Sequence, residues 1–287
     1  MLKNENNPIR IEKLSHQYGQ HQVLREIDLS VGKGEIIGLL GPSGTGKTTL
    51  IRILTGQLAQ TEGRAFLLGE DTRKLRGEAY GKMGMLLDQL GLYERLSCYD
   101  NLKLFGDIHG VDKNGIEEVL ERVGLYDARK KAVMKLSKGM RQRLLFARAI
   151  MHDPRILFLD EPTVGLDPAV MKEIHKMILE QKEKGTTVFL TTHNMEEAER
   201  LCDHVALLYE GRIVEYGNPR EMCMRYDHQR RIEILLQNER EVTIPNSPEA
   251  AEEMAEIISS GKVISIHTTE PDLETVFMEL TGANLNV

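Results

Sequence analysis

One stretch of the sequence decides the fold: Gly41-Pro42-Ser43-Gly44-Thr45-Gly46-Lys47-Thr48, with Thr49 directly after it. It fits the pattern G-x-x-x-x-G-K-[ST], and it lies between an apolar run, 35–40, and a predicted helix, 48–56. Glycines let consecutive backbone N–H groups surround an anion, and a helix N-terminus adds partial positive charge. The stretch therefore predicts a phosphate-binding loop rather than an ordinary glycine-rich turn. Lys47 would reach phosphate oxygens, and the Thr48 hydroxyl would ligate Mg²⁺.

A second pattern complements this loop about 110 residues later. Ile156-Leu157-Phe158-Leu159 is an apolar run of strand length, and Asp160 and Glu161 follow it at once. A strand that ends in two carboxylates is typical of enzymes that hydrolyse nucleoside triphosphates. We predict that Asp160 holds Mg²⁺ and that Glu161 polarises the attacking water. The alternative for the two acids is a helix cap or a solvated pair at the surface.

Composition excludes several classes of protein. The 287 residues include 41% hydrophobic and 28% charged residues, with a mean hydropathy of −0.33, which are proportions of a soluble globular protein. No run approaches the ~20 apolar residues of a transmembrane helix. Residues 1–8 are polar, so we expect no signal peptide. Cys98, Cys202 and Cys223 stand at unrelated spacings, which argues against a disulfide framework and a cysteine-based zinc site.

The net charge of −7 is concentrated at one end of the sequence. Residues 1–217 hold 31 basic and 31 acidic residues, whereas residues 218–287 hold 6 basic and 13 acidic ones. This asymmetry predicts a module boundary near Gly217-Asn218-Pro219. An acidic segment also argues against nucleic-acid binding there. The alternative explanation is a solvated helical face.

Hydrophobic periodicity predicts strands that alternate with helices, hence a parallel α/β sheet. We expect strands at 9–14 and 23–31, with the polar segment 15–22 between them. A helical stretch over 99–124 should break near Gly110 and Gly115, and a helix over 137–151 should begin at Ser137 as N-cap. A hairpin is expected around Glu210-Gly211. Residues 218–287 read as a small α+β unit.

The motifs between and after the two core patterns resemble those of the ATP-binding subunits of ABC transporters. Leu136-Ser137-Lys138-Gly139-Met140 is similar to the family signature, which most often reads L-S-G-G-Q, with Lys138 and Met140 as departures. The resemblance implies that Ser137 and Gly139 contact ATP bound to a second subunit. Considered alone, Ser137 would be only a helix N-cap.

Three further residues take implied roles from the resemblance. Val164-Gly165-Leu166-Asp167-Pro168 resembles the family's D-loop, so Asp167 would contribute across a dimer interface. His193, after Thr191-Thr192, matches the switch histidine that contacts the γ-phosphate. Tyr18 lies where the family has an aromatic residue that stacks on adenine. Without the resemblance, these would be a turn before a helix, a structural histidine and a packing tyrosine.

The sequence departs from the family at its usual glutamine loop. Aligning residues 91–97 with the family's G-L-Y-x-x-L-T places Asp88 at the glutamine position and Gln89 one residue later. A carboxylate binds a hard cation more tightly than an amide does. The sequence leaves open whether Asp88 or Gln89 lies beside Mg²⁺.

The resemblance covers residues 1 to about 217. It implies that these residues form an α/β P-loop ATPase domain of ABC type, with an antiparallel β subdomain and a helical subdomain at about 96–152. Residues 218–287 form the expected accessory domain. The ending Pro271–Gly282 is similar to that of export-type subunits; its Leu273, Val276, Phe277 and Leu280 also form one apolar helical face.

The resemblance implies an ATPase with ATP and Mg²⁺ as cofactors. Two copies would close around two ATP and power a separate transmembrane permease, as an exporter of drugs, antibiotics or peptides. The chain itself would be peripheral at the cytoplasmic face, without membrane insertion. Two alternatives stay open: a soluble ABC ATPase outside transport, and a regulatory ATP-binding module with weak hydrolysis.

Basic residues near the signature could suggest nucleic acid. We interpret them as a solvated helix start and an ATP-facing surface, because no aromatic platform accompanies them. They are Arg129, Lys130, Lys131, Lys135, Lys138, Arg141 and Arg143.

Overall fold

The computed structural model describes residues 7–87, 91–227, 231–237, 240–268 and 271–282. They fall into two compact units that divide between Gly217 and Asn218. Within these described ranges, no helix is both long and apolar enough to cross a membrane.

The first unit alternates strands and helices along most of its length. Its strands are β1 (Ile9–Tyr18), β2 (His21–Val31), β3 (Ile36–Leu40), β4 (Glu62–Leu67), β5 (Glu70–Asp71), β6 (Met83–Leu86), β7 (Ile156–Asp160), β8 (Thr187–Thr192), β9 (His204–Tyr209) and β10 (Arg212–Gly217). Its helices are α1 (Lys47–Leu54), α2 (Gly77–Tyr80), α3 (Cys98–His109), α4 (Lys113–Arg122), α5 (Lys138–Ile150), α6 (Pro168–Glu183) and α7 (Met195–Leu201).

A six-stranded sheet forms the centre of this unit, in the order β10-β9-β3-β8-β7-β6. All neighbours run parallel except β9 and β10, which form the predicted hairpin. Strands buried on both faces are uniformly apolar, as in β3, whose five residues are all buried. Because β3, β7 and β8 run parallel, their carboxyl ends lie along one edge, where loops carry function.

A second, antiparallel sheet has the order β2-β1-β4-β5. Its inward face joins helix α1 and the strands of the main sheet in one hydrophobic core, which includes Ile9, Leu24, Leu50 and Phe158. Strands β1 and β2 extend through 15–22, where the sequence predicted a polar connection, and only Gly19 and Gln20 turn between them. Register shifts along β1 absorb its polar residues, so the strict alternation that identifies a strand is interrupted.

Helices α3, α4 and α5 pack on one another and form a helical subdomain. Helix α3 ends at Gly110 in the left-handed conformation, as predicted. The predicted break at Gly115 is wrong, because Gly115 lies inside α4 and its N–H bonds to the N-cap Asp112 carboxylate at 2.9 Å. Ser137 is the N-cap of α5, as predicted.

The second unit contains α8 (Pro219–Arg225), β11 (Arg231–Leu236), β12 (Glu241–Pro245), α9 (Ala251–Ser259), β13 (Val263–Thr268) and α10 (Leu273–Thr281). Its sheet has the antiparallel order β12-β11-β13. Helix α10 packs against α8 and buries Leu273, Val276 and Phe277, while Leu280 is half-buried. The amphipathic face predicted for this helix is therefore correct.

A stacked histidine pair connects the helical subdomain to the segment after α5. The rings of His109 and His152 are 4.1 Å apart between centroids, with 18° between their planes. Burial lowers the pKa of both imidazoles, and the proximity of His109 lowers that of His152 further.

We expect this pair to make stability depend on pH. Its pKa values lie below ~6.5, the value in the unfolded chain, so the unfolded state binds more protons as pH falls. The contribution of this pair to the free energy of unfolding is therefore fully present above pH ~6.5 and is lost as the pH falls below that value. The variant His109→Asn should show a smaller loss of the urea midpoint between pH 7.5 and 5.5 than the parent chain. The exposed His21→Asn is the control; equal slopes in all three proteins would contradict the assignment.

Candidate functional site

The loop between β3 and α1 needs glycine at two positions for different reasons. A Cβ on Gly41 would overlap the backbone oxygen of Leu208, so only glycine allows the strand and loop to approach that closely. Gly46 is the N-cap of α1 at φ +108°, a conformation that favours glycine, and a Cβ there would press on Leu24 and Val23. The loop therefore keeps its backbone free to face a ligand.

Lys47 is the one buried lysine or arginine in the described part of the chain, with 6% of its surface exposed. Its Nζ donates to the carbonyls of Gly41 at 2.7 Å and Pro42 at 3.1 Å, and lies 3.7 Å from Glu161 Oε1. Burial lowers the pKa of its ammonium, while the nearby Glu161 and Asp160 carboxylates oppose that shift. The ammonium is thus fixed at the loop, beside the carboxylates.

Asp160 lies at the end of β7, where two hydroxyl groups converge on it. Thr48 Oγ1 donates to its Oδ2 at 2.8 Å, and Thr191 Oγ1 from β8 donates to its Oδ1. A hydroxyl and a carboxylate are hard oxygen ligands of the kind Mg²⁺ prefers. Thr48 and Asp160 therefore fit a shared magnesium ion by the chemistry of their donor atoms.

Glu161 and His193 form the next contact along this edge. His193 Nδ1 lies 2.8 Å from Glu161 Oε2, and both side chains retain exposure to solvent. Because an ionised carboxylate only accepts, the contact requires a proton on Nδ1 and leaves Nε2 free in the neutral ring. Glu161 therefore has Lys47 on one oxygen and His193 on the other.

Of these groups, Lys47, Thr48 and Glu161 border one open depression of about 480 Å³. It is lined by Tyr18, Val23, Ser43, Gly44, Gly46, Lys47, Thr48, Thr49 and Glu161. The Tyr18 ring is 47% exposed and meets His16 edge-on, with 4.7 Å between centroids, so a face remains available for stacking. Thr45 stays within the loop, where its hydroxyl donates to the Pro42 carbonyl at 2.9 Å.

Comparison with known proteins identifies the family to which this chain belongs. The family described as "ABC transporter" matches residues 24–164. A fluoroquinolones export ATP-binding protein of Mycobacterium tuberculosis is 36% identical over 284 residues, covering 96% of this chain and 94% of the relative. The chain belongs to the ATP-binding proteins of ABC transporters. The protein is accordingly an ATP-binding ATPase of the ABC type.

Two other comparisons extend the likeness. A bacitracin transport ATP-binding protein of Bacillus licheniformis is 41% identical over 209 residues, which cover 72% of this chain and 68% of the relative. The solved structure of cbiO1 from Clostridium perfringens, part of an ABC transporter complex, superposes with a TM-score of 0.68 at 29% identity, covering 76% of this chain and 90% of that one. The predicted fold class is thus confirmed.

Eight predicted site residues within the described ranges do not line the depression: Gly41, Pro42, Thr45, Asp160, His193, Ser137, Gly139 and Asp167. The first five belong to the loop between β3 and α1 or bond to groups that line the depression, whereas the last three lie on other elements. Ser137 Oγ accepts from the Met140 N–H at 3.3 Å as the cap of α5, and a Cβ on Gly139 would press on Val170 of α6. Asp167 is the N-cap of α6, without a side-chain capping bond. Asp88 and Gln89 lie outside the described residues.

Sequence reasoning missed several residues that contact the site. Thr191 was expected only as part of a motif, yet its hydroxyl bonds to Asp160. Gln142 and Glu197 bond to the two residues that follow Glu161. No local pattern identifies these residues, because each contact joins positions at least 20 apart in the sequence.

Replacing Tyr18 tests whether its exposed ring binds the nucleotide base. Stacking of a base on an aromatic ring contributes ~1–3 kcal/mol. We expect Tyr18→Ala to weaken ATP binding by ~10-fold and Tyr18→Phe to leave it within ~2-fold, as measured by equilibrium titration. Tyr93→Ala, an exposed tyrosine outside the depression, is the matched control. Equal affinity of the Tyr18→Ala and parent chains would exclude stacking.

Proposed function

We propose that this ABC ATPase powers export through a separate membrane permease. One relative supports the direction by name, a fluoroquinolones export protein, and a bacitracin transport protein supports an antibiotic cargo. A linearmycin resistance ATP-binding protein of Bacillus subtilis, 30% identical, aligns over 96% of the chain, including most of residues 218–287. The cargo class that fits these names is an antibiotic or a related peptide.

The proposed chemistry assigns each group around the depression a role. Lys47 and the loop N–H groups hold the β- and γ-phosphates, and Thr48 and Asp160 hold Mg²⁺. When bound there, Mg²⁺ would supply neutralisation of the charge that develops on the phosphate oxygens. Glu161 orients and polarises the attacking water, and His193 contacts the γ-phosphate while holding the Glu161 carboxylate. The observation that carries this proposal is the 2.8 Å contact of His193 with Glu161, beside Lys47.

We further propose that two copies of the chain close around two ATP. Ser137, Gly139 and Asp167 of each copy would complete the site of the other. Supporting this, Ser137 and Gly139 stand at the N-terminus of the 13-residue helix α5, which carries partial positive charge. Closure would drive the permease because ATP binds the closed state more tightly than the open one.

The proposed arrangement assigns residues 1–217 to the ATPase domain, with its helical subdomain at about 96–152, and residues 218–287 to an accessory domain. The chain would be peripheral at the cytoplasmic face of the membrane, held by the permease. The acidic charge of residues 218–287 would be repelled by the negative cytoplasmic leaflet, so we expect this domain to face away from lipid.

The variant Glu161→Gln tests the proposed base. Removing a general base typically costs 10²–10⁴-fold in rate, whereas an amide keeps the size of the side chain. We expect steady-state ATP hydrolysis to fall by ~10²-fold or more, with ATP affinity within ~3-fold and a larger dimer fraction in ATP by sedimentation. Glu196→Gln, an exposed acid on α7, is the control. Full turnover of Glu161→Gln would refute the assignment.

The variant Asp88→Gln tests which residue of the 88–89 pair acts beside the metal. An amide binds Mg²⁺ more weakly than a carboxylate, so this variant should need a higher Mg²⁺ concentration for half-maximal hydrolysis. Gln89→Ala is run in parallel. An unchanged Mg²⁺ titration for Asp88→Gln, with a shifted one for Gln89→Ala, would assign the role to Gln89.

A further inference from the structure

The backbone of Glu161 adopts a conformation that its sequence neighbours disfavour. Its φ is +49°, in the left-handed region that non-glycine residues avoid. Pro162 follows it, and a proline pushes the residue before it towards an extended conformation with negative φ. Glu161 therefore adopts a conformation that both its own side chain and the following proline disfavour. Contacts with other parts of the fold must stabilise it.

Three hydrogen bonds supply that restraint, one for each consecutive residue. The Glu161 N–H donates to the Thr191 carbonyl on β8 at 3.0 Å. Gln142 Nε2 on α5 donates to the Pro162 carbonyl at 2.6 Å. The Thr163 hydroxyl donates to Glu197 Oε1 on α7 at 2.6 Å. Three different elements thus fix residues 161–163, which we call the base segment.

The acceptor for Thr163 is the one buried carboxylate in the described part of the chain. Glu197 is 2% exposed, and its Oε1 also lies 2.9 Å from His175 Nε2 on α6. Burial alone would raise the pKa of Glu197, but hydrogen bonds from His175 and Thr163 outweigh it and hold that pKa below the usual range. The carboxylate therefore stays ionised and keeps accepting from both groups.

We propose that Gln142, Thr163 and Glu197 are positioning residues for hydrolysis, which hold the base segment so that the Glu161 carboxylate meets the attacking water. The proposal rests on the role of Glu161 proposed above. None of the three lines the depression, so they act through the backbone at 161–163.

The hydrogen bond from Gln142 also connects the base segment to the N-terminal part of α5. Gln142 belongs to α5, whose first turn follows Ser137 and contains Gly139, the residues proposed to meet ATP of a second copy. Pro162 receives this bond one residue after Glu161. This hydrogen bond therefore joins α5 to the residue that directly follows the proposed base.

The decisive variants are Gln142→Leu and Thr163→Val, in the full chain. Each removes one hydrogen bond to the base segment and keeps the side chain close to its original size. Because a displacement of ~1 Å at a reacting group can cost ~10²-fold in rate, we expect kcat to fall by ~10- to 100-fold. ATP affinity, measured with a non-hydrolysable analogue, should change less than ~3-fold, since Lys47 and the loop are untouched.

Matched controls separate positioning from general stability. Gln181 and Thr72 are also buried in the first unit, and their Nε2 and Oγ1 atoms have no hydrogen-bond partner. We expect Gln181→Leu and Thr72→Val to leave kcat within ~2-fold. Thr163→Ser retains the hydroxyl and should restore most of the rate lost in Thr163→Val. The comparison of Thr163→Val with Thr163→Ser tests the positioning role even if Gln142→Leu fails to fold.

Two results would overturn the inference. One is an unchanged kcat in Gln142→Leu and Thr163→Val; the other is a loss that Thr163→Ser does not restore or that the controls reproduce. Glu161→Gln is measured beside them. Full turnover in Glu161→Gln would remove the proposed base itself, whereas its inactivity together with active Gln142→Leu and Thr163→Val would remove only the positioning role.

Discussion

The site depends on keeping the Lys47 ammonium charged while it is buried. An unpaired ammonium inside a protein is strongly disfavoured and tends to lose its proton. Here two loop carbonyls accept from it and a carboxylate lies 3.7 Å away, so the charge is compensated without a tight ion pair. In the proposed ATP-bound state, phosphate oxygens would take the place of these carbonyls. The same requirement explains why the loop must bend back on its own first residues, which only glycine at 41 and 46 permits.

Strand topology explains why residues so distant in sequence can compensate this charge. Asp160 and Thr191 are register partners at the carboxyl ends of β7 and β8, while β3 delivers the loop from the other side of β8. Their side chains meet because parallel strands end along the same edge. Thr48 then closes the arrangement from helix α1, through its 2.8 Å bond to Asp160. The geometry of the site is a consequence of strand order more than of any loop.

The sequence predicted the parts of the fold whose signal is local. The loop at 41–48, the apolar strand before Asp160 and the cap at Ser137 each carry a pattern within a few residues. The polar half of β1 was missed because register shifts interrupt its alternation. Gly115 was mistaken for a break because it lies in the first turn of α4, where its N–H bonds to the N-cap Asp112 instead of ending a helix. Gln142, Thr163 and Glu197 had no local signal at all, since their hydrogen bonds span 20 and 34 residues.

Those long-range bonds also explain how the proposed base, Glu161, can lie directly at the end of β7. An extended residue before Pro162 would continue the direction of β7 and carry the carboxylate away from Lys47. The left-handed turn at Glu161 reverses the chain at once and brings its two oxygens to Lys47 and His193. Such a turn is unfavourable by ~1–3 kcal/mol, which one or two buried hydrogen bonds can offset. The left-handed conformation of Glu161 and the long-range hydrogen bonds to residues 162 and 163 therefore act together to place the proposed base beside Lys47 and His193.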